Sequence, residues 1–237
     1  MTRRRWIADE VSGSGAALVG PHADHLIRVL RARPGQEFDL SMGHEVRRGR
    51  IVSISENRVD FELGEQVPTA DAMQVTLALS VFKFDRMEWA IEKCTELGVS
   101  RIVPVIARRT EAHLAAAAPK RVERWQRIAR QASEQTRRTS PPDISQPITL
   151  KTAVALPGGM RILLSESEQE VMLKDVLQSR SPGSDIVLAL GPEGGWADSE
   201  VALFREAGWS TASLGGTILR AETAAIAAMA VVLAELY

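Results

Sequence analysis

The sequence predicts an α/β fold in two parts, a small β-rich domain at residues 1–70 and a larger domain at residues 71–237. In the first part, turn residues separate short runs in which apolar and polar residues alternate, as is typical of β-strands. In the second part, apolar runs alternate with helical patterns, which indicates a parallel sheet covered on both faces. The segment VPTADA between them has no periodicity and contains Pro68, so we place the linker there.

The first domain is expected to be a small β-barrel. Alternation at Val59, Phe61 and Leu63 gives one strand a buried face, and Asn57 supplies the turn before that strand. The expected strands are RWIA, AALVG, EFDLSM, EVRRGRIVSI and RVDFELGEQV, and the expected helix is HADHLIRVLRA.

The second domain is expected to alternate strands with helices. Asp85 and Asp198 stand where capping residues would open two of these helices, and Gly98 and Gly208 stand where the helices would end. Pro119 can open another helix. The expected strands are VTLALSVF, RIVPVI, RILLS, DIVLAL and STASL, and the expected helices are RMEWAIEKCTEL, a helix from Pro119, EVMLKDVLQ, SEVALFREA and a C-terminal helix.

Composition narrows the class of protein. With 45% apolar and 25% charged residues, the 237 residues can form a sizeable core, and the apolar run AAIAAMAVVLA is too short to cross a bilayer. The single cysteine, Cys94, excludes an intramolecular disulfide, and the four histidines lack metal-ligand spacing. We therefore expect a cytoplasmic protein with no membrane span and no metal.

Charge is unevenly distributed along the chain. The net charge of −1 argues against a protein whose whole surface coats nucleic acid. Residues 81–150, however, carry 13 Lys and Arg against 8 Asp and Glu, whereas residues 152–237 carry 5 against 11. A basic middle segment could contact a phosphate backbone, although it could also be a solvated helix face.

The segment LGPEGGW, Leu190 to Trp196, lies between an apolar strand and a helix. Open α/β sheets bind their ligands at this edge. Pro192 restricts the backbone, while Gly194 and Gly195 let main-chain N–H groups approach a ligand, which suits a nucleoside cofactor. The sequence lacks the motifs of phosphate-binding loops. The alternative is a tight turn with no ligand.

The C-terminal segment, Ser213 to Leu236, leads from a strand end into a helix that is apolar nearly all round. Such a helix is expected to be buried on more than one side. Arg220 and Glu222 near its start are candidates for function because charges in an apolar setting are usually paired or used. Alternatively, Glu222 only favours the helix dipole and Arg220 is a surface charge.

The segment from Pro119 to Ile144 combines an apolar stripe with a cationic face. The stripe contains Trp125, which is expected to be core, and the polar tail contains Glu134, Arg137 and Arg138, which could hydrogen-bond a nucleotide. A solvated helix end is the alternative. The cationic face consists of Lys120, Arg124, Arg127 and Arg130.

Five segments together resemble the bacterial 16S ribosomal RNA uridine-N3 methyltransferases of the SPOUT superfamily, the ribosomal RNA small subunit methyltransferase E type. The resemblance runs nearly end to end, and GPEGG followed by LRxETA is highly specific. The segments are HADHLIRVLRARPGQEFDL, KFDRMEWAIEKCTELGV, RWQRIARQASEQTRRTSPPDI, LGPEGGW and LGGTILRAETAAI.

This resemblance implies an N-terminal PUA-like barrel and a SPOUT-type α/β domain tied in a deep trefoil knot. It also implies S-adenosylmethionine as cofactor, a homodimer, and methylation of N3 of a uridine in the decoding region of 16S ribosomal RNA within the small ribosomal subunit. Phe84 and Arg137 replace family glycines and Thr217 replaces a family arginine. These departures concern RNA contacts rather than cofactor binding.

The resemblance and the segments together imply three groups of site residues. The expected catalytic residues are Arg220, Glu222 and Arg138. The expected cofactor-binding residues are Leu164, Ser165, Leu190, Gly191, Pro192, Glu193, Gly194, Gly195, Ser213, Leu214, Gly215, Ile218, Leu219, Arg220, Thr223 and Ala224. The expected RNA-binding residues are Arg28, Arg31, Arg47, Arg48, Arg50, Lys83, Arg124, Arg127, Arg137 and Arg138.

Two other classes of function remain open from the sequence. One is a noncatalytic RNA-binding protein that keeps the fold without turnover. The other is a nucleotide-dependent enzyme that uses the Gly-rich turn. Binding of S-adenosylmethionine and of ATP would discriminate between these alternatives.

Overall fold

The structure is a computed structural model that describes residues 5–43, 45–68, 74–136, 138, 140–181 and 183–236. The chain divides into two compact units. Unit 1 consists of residues 1–71 and 133–140, and unit 2 consists of residues 72–132 and 141–237. Residues 133–140, which the sequence prediction leaves in the second domain, group with unit 1. Most of the predicted linker lies outside the described residues.

Unit 1 is built on one sheet. Its strands are β1 (Arg5–Ile7), β2 (Glu10–Ser12), β3 (Gly15–Val19), β4 (Glu37–Ser41), β5 (Val46–Ser55) and β6 (Arg58–Gln66). The order is β1-β4-β5-β6-β3-β2, with β1 parallel to β4 and the other neighbours antiparallel. No described pairing joins the edge strands β1 and β2, so the sheet is open, whereas the sequence predicted a barrel.

The core of unit 1 follows the predicted alternation. Val59, Phe61 and Leu63 of β6 are all buried in one apolar cluster. The predicted helix is shorter and less regular than expected: α1 (Pro21–Asp24) continues into a π-helical turn at His25–Val29. The helical run stops because Arg31 adopts a left-handed backbone with φ of 51°.

Unit 2 contains the predicted parallel sheet. Its strands are β7 (Val75–Ser80), β8 (Arg101–Ile106), β9 (Asp143–Ile144), β10 (Ile148–Thr149), β11 (Met160–Leu164), β12 (Ile186–Leu190) and β13 (Ser210–Ala212). All pairs are parallel; the order is β10-β8-β7-β12-β11-β13, and β9 also pairs with β8. The short strands β9 and β10 are absent from the sequence prediction.

Helices cover both faces of this sheet. They are α2 (Phe84–Glu96), α3 (Ala112–Ala117), α4 (Val122–Gln135), α5 (Leu150–Val154), α6 (Leu173–Gln178), α7 (Asp198–Glu206) and α8 (Ala221–Leu236). Leu188 of β12 belongs to the cluster with α2, α4, α6 and α8, whereas its neighbour Val187 belongs to the cluster with α5 and α7. Burial on both faces explains why every residue of β12 is apolar.

The two predicted N-terminal caps are wrong. Helix α2 begins at Phe84, and no side chain caps it. Helix α7 begins at Asp198, so Ala197 occupies the cap position, where its N–H donates to Glu200 Oε2 at 2.8 Å. Asp198 is thus the first residue of the helix rather than its cap, and the Glu200 carboxylate binds the N–H of the residue that occupies the cap position.

Helix α8 buries one stripe rather than its whole circumference. Ala225, Ala228 and Val232 are fully buried on the core side. Ala230 and Ala234 are exposed, so a single chain leaves this side of the helix uncovered. Among the described residues, no helix has the length and apolarity that a membrane crossing requires.

Candidate functional site

Three neighbouring strands of unit 2 end at a cavity. Leu164 at the end of β11 is in register with Leu190 of β12 and with Ala212 of β13. Because parallel strands end at the same edge, the loops that follow them meet there. The cavity has a volume of about 680 Å³, which includes the open solvent at its mouth.

The cavity brings together most of the predicted cofactor residues. Its lining residues are Leu164, Ser165, Glu166, Leu190, Gly191, Pro192, Glu193, Gly195, Trp196, Ala212, Ser213, Leu214, Gly215, Thr217, Ile218, Leu219, Ala221 and Ala224. Of the predicted set, Gly194, Arg220 and Thr223 are not in the lining. The sequence analysis missed Glu166, Trp196, Ala212, Thr217 and Ala221.

The Gly-rich turn after β12 forms one wall. The N–H of Gly195 donates to the carbonyl of Pro192 at 2.8 Å, which closes the turn. Gly195 has a φ of 68°, and a Cβ there would collide with the Glu166 carboxylate, so only glycine fits without strain. The indole N–H of Trp196 donates to the carbonyl of Leu164 at 3.0 Å and fixes the turn to the end of β11.

Gly194 faces away from the cavity lining, toward the loop after β8. Its carbonyl accepts a hydrogen bond from the guanidinium of Arg109, and a Cβ on Gly194 would make only ordinary contact with that side chain. The adjacent glycines therefore have different roles, although the sequence analysis placed both in the cofactor wall.

The second wall is the segment between β13 and α8. The N–H of Ser213 donates to the carbonyl of Val171 at 2.8 Å, and the N–H of Leu173 donates to the carbonyl of Ser213 at 2.9 Å. These bonds fix the start of the segment. Further along, Ile218 is 85% exposed and lines the cavity, so it offers apolar surface to a ligand.

The charged residues at the start of α8 do not pair with each other. Arg220 is exposed, and its side chain makes no ion pair with a described residue. Glu222 is buried, and its Oε1 lies 3.8 Å from Nε of Arg86 in α2. Arg86 in turn donates from Nη1 to Oε1 of Glu193 in the Gly-rich turn at 2.8 Å. Glu222 thus faces Arg86 rather than Arg220.

The third predicted catalytic residue, Arg138, belongs to unit 1. It is half-buried, and its Nε donates to the carbonyl of Ser140 at 3.3 Å. Burial lowers the pKa of the Arg138 guanidinium from its ordinary value, although an arginine remains protonated at neutral pH.

The predicted RNA-binding arginines of unit 1 mostly have partners within that unit. Nε of Arg28 lies 3.3 Å from Asp24, Nη1 of Arg48 lies 2.6 Å from Glu65, and Nη2 of Arg50 lies 3.6 Å from Glu37. Arg47 donates to the carbonyl of Gly64, and Arg31 is exposed. The β5 arginines therefore form a mixed-charge surface rather than a purely cationic one.

The predicted RNA-binding residues of α2 and α4 have different surroundings. Nζ of Lys83 lies 3.9 Å from Oε2 of Glu193, and Arg124 makes two hydrogen bonds of 2.6 and 2.7 Å with Glu88. Arg127 is exposed, and Arg137 lies outside the described residues. Trp125 is fully buried, as expected for a core residue.

A local signal existed for some of the missed lining residues but not for others. Glu166 comes directly after a predicted strand, and the carboxyl ends of parallel strands meet at one edge, so it could have been included. Arg86 could not have been paired with Glu193, because 107 residues separate them and the sheet alone brings them together.

The part of the chain that forms this cavity is similar to known proteins. A family model for the RNA methyltransferase domain matches residues 69–233. The ribosomal RNA small subunit methyltransferase E of Synechocystis sp. is 33% identical over 226 residues, which cover 94% of this chain and 74% of that protein.

Two solved structures are similar over nearly the whole chain. A ribosomal RNA small subunit methyltransferase E from Neisseria gonorrhoeae, bound to S-adenosyl methionine, is 32% identical with a TM-score of 0.82 and covers 97% of this chain and 96% of its own. A methyltransferase structure from Legionella pneumophila, in complex with the bound cofactor SAM, is 27% identical with a TM-score of 0.83. This match covers 99% of this chain and 98% of that protein.

These matches agree with the resemblance inferred from the five sequence segments. The family model spans the cavity and all three strand ends that form it. The sequence-based assignment is confirmed, and the chain belongs to the ribosomal RNA small subunit methyltransferase E family of RNA methyltransferases.

Proposed function

We propose that this chain transfers a methyl group from S-adenosylmethionine to N3 of a uridine in the decoding region of 16S ribosomal RNA. The observation that carries the proposal is the cavity at the sheet edge, whose two walls are the segments LGPEGGW and SLGGTIL. The family resemblance implies that these two segments hold the cofactor. A ribosomal substrate would place the enzyme in the cytoplasm.

The lining of the cavity fits the chemistry of S-adenosylmethionine. Leu190, Leu214 and Leu219 supply apolar surface for an adenine ring, and the backbone at Gly195 comes close to the cavity because no side chain intervenes. When bound, S-adenosylmethionine supplies an electrophilic methyl group on its sulfonium. The remaining chemistry concerns the RNA base and this chain's own residues.

The base must lose a proton. Neutral uridine carries a proton on N3, so methylation there requires loss of that proton, and the resulting negative charge is spread over N3, O2 and O4 until the bond from N3 to the methyl carbon forms. Arg220 is exposed at the start of α8, between the lining residues Leu219 and Ala221. Its guanidinium and the positive end of the helix dipole can stabilise this charge. We assign Glu222, which is buried against Arg86, to positioning and Arg138 to RNA contact, and the N3 proton leaves to solvent.

The finer fold features belong to the same proposal. A deep trefoil knot in unit 2 is proposed from the family resemblance, and the parallel bridge between Ser213 and Met172 joins the segment after β13 to the segment before α6. A PUA-like, RNA-binding role for unit 1 follows from the family resemblance and is supported by the arginines of β5.

A homodimer through α8 is also proposed. Thr223, Ala227, Ala230 and Ala234 form a stripe of small residues at helical spacing, opposite the buried stripe, and they are exposed or half-exposed. Small residues permit close approach of a second helix, and an interface of this kind should bury on the order of 1,000 Å² or more.

Calorimetry and methyl transfer together test the function. The protein should bind S-adenosylmethionine at micromolar concentration and should not bind ATP. With small subunits from a strain that lacks the enzyme, labelled methyl groups should appear on one uridine, at N3. No binding contradicts the proposal, and binding without transfer favours the noncatalytic RNA-binding alternative. ATP binding instead favours the nucleotide-dependent enzyme.

A further inference from the structure

The side chain of Arg86, in helix α2, contacts both walls of the cavity, although α2 itself does not line the cavity. Arg86 donates from Nη1 to Oε1 of Glu193, at 2.8 Å, and Glu193 belongs to the first wall. Nε of Arg86 lies 3.8 Å from Oε1 of Glu222, in the first turn of α8, where the second wall ends. Nζ of Lys83 lies 3.9 Å from the other oxygen of Glu193.

The sheet explains this juxtaposition. Leu79 of β7 is in register with Leu190 of β12, so the chain leaves both strands at the same edge. Helix α2 begins at Phe84, which places Arg86 in its first turn, close to the Gly-rich turn. The planar guanidinium offers donors in two directions, so it can serve two carboxylates at once, which a lysine ammonium does less well.

Burial makes the pairing with Glu222 significant. The Glu222 side chain is only 5% exposed, and its Oε2 is buried without a hydrogen-bond partner among the described residues. A buried carboxylate is costly unless a cation compensates its charge. Arg86 supplies that charge, and removal of the guanidinium would leave Glu222 buried and uncompensated next to Glu193.

We propose that Arg86 is a positioning residue that holds the Gly-rich turn and the start of α8 in the arrangement that binds the cofactor. The inference rests on the proposed function, because it takes the cavity as the S-adenosylmethionine site. Arg86 acts through Glu193 and Glu222 and is not assigned a contact with the cofactor or the RNA. It therefore sets the affinity for S-adenosylmethionine rather than the rate of the chemical step.

A double-mutant cycle on the Arg86–Glu193 pair tests this role. Wild type, Arg86→Gln, Glu193→Gln and the double variant are titrated with S-adenosylmethionine by calorimetry and assayed for methyl transfer. Each single variant should weaken cofactor binding roughly tenfold, the scale of one charge-assisted hydrogen bond. The double variant should be no weaker than Arg86→Gln, and turnover at saturating cofactor should stay within a few-fold of wild type. Lys93→Gln, which removes an exposed ion pair at the other end of α2, is the matched control.

The outcomes separate this inference from the proposed function. If wild type fails to bind S-adenosylmethionine, the proposed function fails first. If wild type binds and the single variants bind equally well, or if their losses add to about a hundredfold in the double variant, the positioning role is wrong and the proposed function stands. If Arg86→Gln fails to fold, Arg86→Lys replaces it in the cycle. The lysine keeps a positive charge next to Glu222 but lacks the guanidinium donors that point toward both carboxylates.

Discussion

At the scale of single residues, the site depends on backbone positions that tolerate no side chain and on charges whose partners come from distant elements. Gly195 lines the cavity with a left-handed backbone, whereas its neighbour Gly194 faces Arg109. Arg220 is exposed at the cavity edge, whereas Glu222 is buried against Arg86. The two members of each pair therefore have different surroundings, although they are close in sequence.

The two glycines should differ in their response to substitution. Gly195→Ala places a Cβ against the Glu166 carboxylate at a φ of 68°, so S-adenosylmethionine binding should fall tenfold or more, which corresponds to about 1.4 kcal/mol. Gly194→Ala meets only ordinary contacts and should bind normally. Calorimetry on both folded variants measures the difference, and equal affinities would mean that the turn plays no part in binding.

Arg220 should affect the chemical step. Loss of one preorganised donor typically reduces turnover by about 10²–10³, so Arg220→Ala should slow single-turnover methylation by roughly that factor while cofactor binding persists. Arg205→Ala, an exposed arginine on α7, serves as the control. A near-normal rate at saturating RNA and cofactor would exclude Arg220 from the mechanism and leave Arg138 and Glu134 as candidates.

At the scale of elements, a histidine joins two parts of unit 1. Nδ1 of His22 in α1 lies 2.9 Å from Oδ2 of Asp9, and Nε2 lies 3.0 Å from Oε1 of Glu134 in the last turn of α4. The hydrogen bond to Glu134 and then the Asp9 carboxylate raise the pKa of His22, and burial opposes this increase. The imidazolium form thus fixes the segment 133–140 to the sheet of its own unit.

This arrangement predicts a pH dependence of stability. Because the pKa of His22 is raised in the folded state, its contribution is complete below the unfolded value of about 6.5 and is lost as pH rises through the folded value. His22→Gln should therefore destabilise the protein by roughly 1 kcal/mol more at pH 5.5 than at pH 9. Urea unfolding at both pH values measures this, with the exposed His113→Gln as control. A difference independent of pH would contradict the charged pairing.

The exposed stripe of α8 predicts the effect of a charge at the proposed dimer interface. Ala230→Glu places a carboxylate on the exposed side, where the monomer tolerates it but a close helix contact does not. Wild type should be a dimer at micromolar concentration by light scattering, and the variant should be a monomer with an unchanged circular dichroism spectrum. Lys174→Glu on α6 provides a control. A wild-type protein that is monomeric throughout would remove the dimer from the proposal.

For the molecule as a whole, attraction to RNA must arise from the distribution of charged side chains, because the net charge is only −1. Several candidate arginines already contact carboxylates, including Arg48 and Arg124. Exposed surface ion pairs are weak and salt-sensitive, so these arginines can exchange a carboxylate for a phosphate at low cost. Arg31 and Arg127 are exposed and need no such exchange.

Binding of ribosomal RNA should therefore weaken steeply with salt. Each phosphate contact adds roughly 0.7 to 0.9 to the slope of log affinity against log salt. Arg127→Gln should lower that slope by about one contact, whereas Arg205→Gln on α7 should leave it unchanged. Filter binding across a salt series measures both slopes. A flat response in wild type would exclude the phosphate contacts.

The sequence by itself determined the features that depend on local periodicity and composition. Alternation at Val59, Phe61 and Leu63 predicted a strand of unit 1, and the apolar run of β12 predicted a strand buried on both faces. The Gly-rich turn could be placed at a strand end because strands and helices alternate. The family followed from five segments whose residue order is specific enough to identify it.

Contacts between residues of different elements could be determined only from the tertiary structure. The grouping of residues 133–140 with unit 1, the pairing of Glu222 with Arg86 and the outward orientation of Gly194 depend on contacts between elements far apart in sequence. Local pattern also failed at the helix caps, where Lys83 and Ala197 rather than Asp85 and Asp198 occupy the cap positions. Periodicity records which face of an element is buried, but the partner of a charge depends on which strands become neighbours in the sheet.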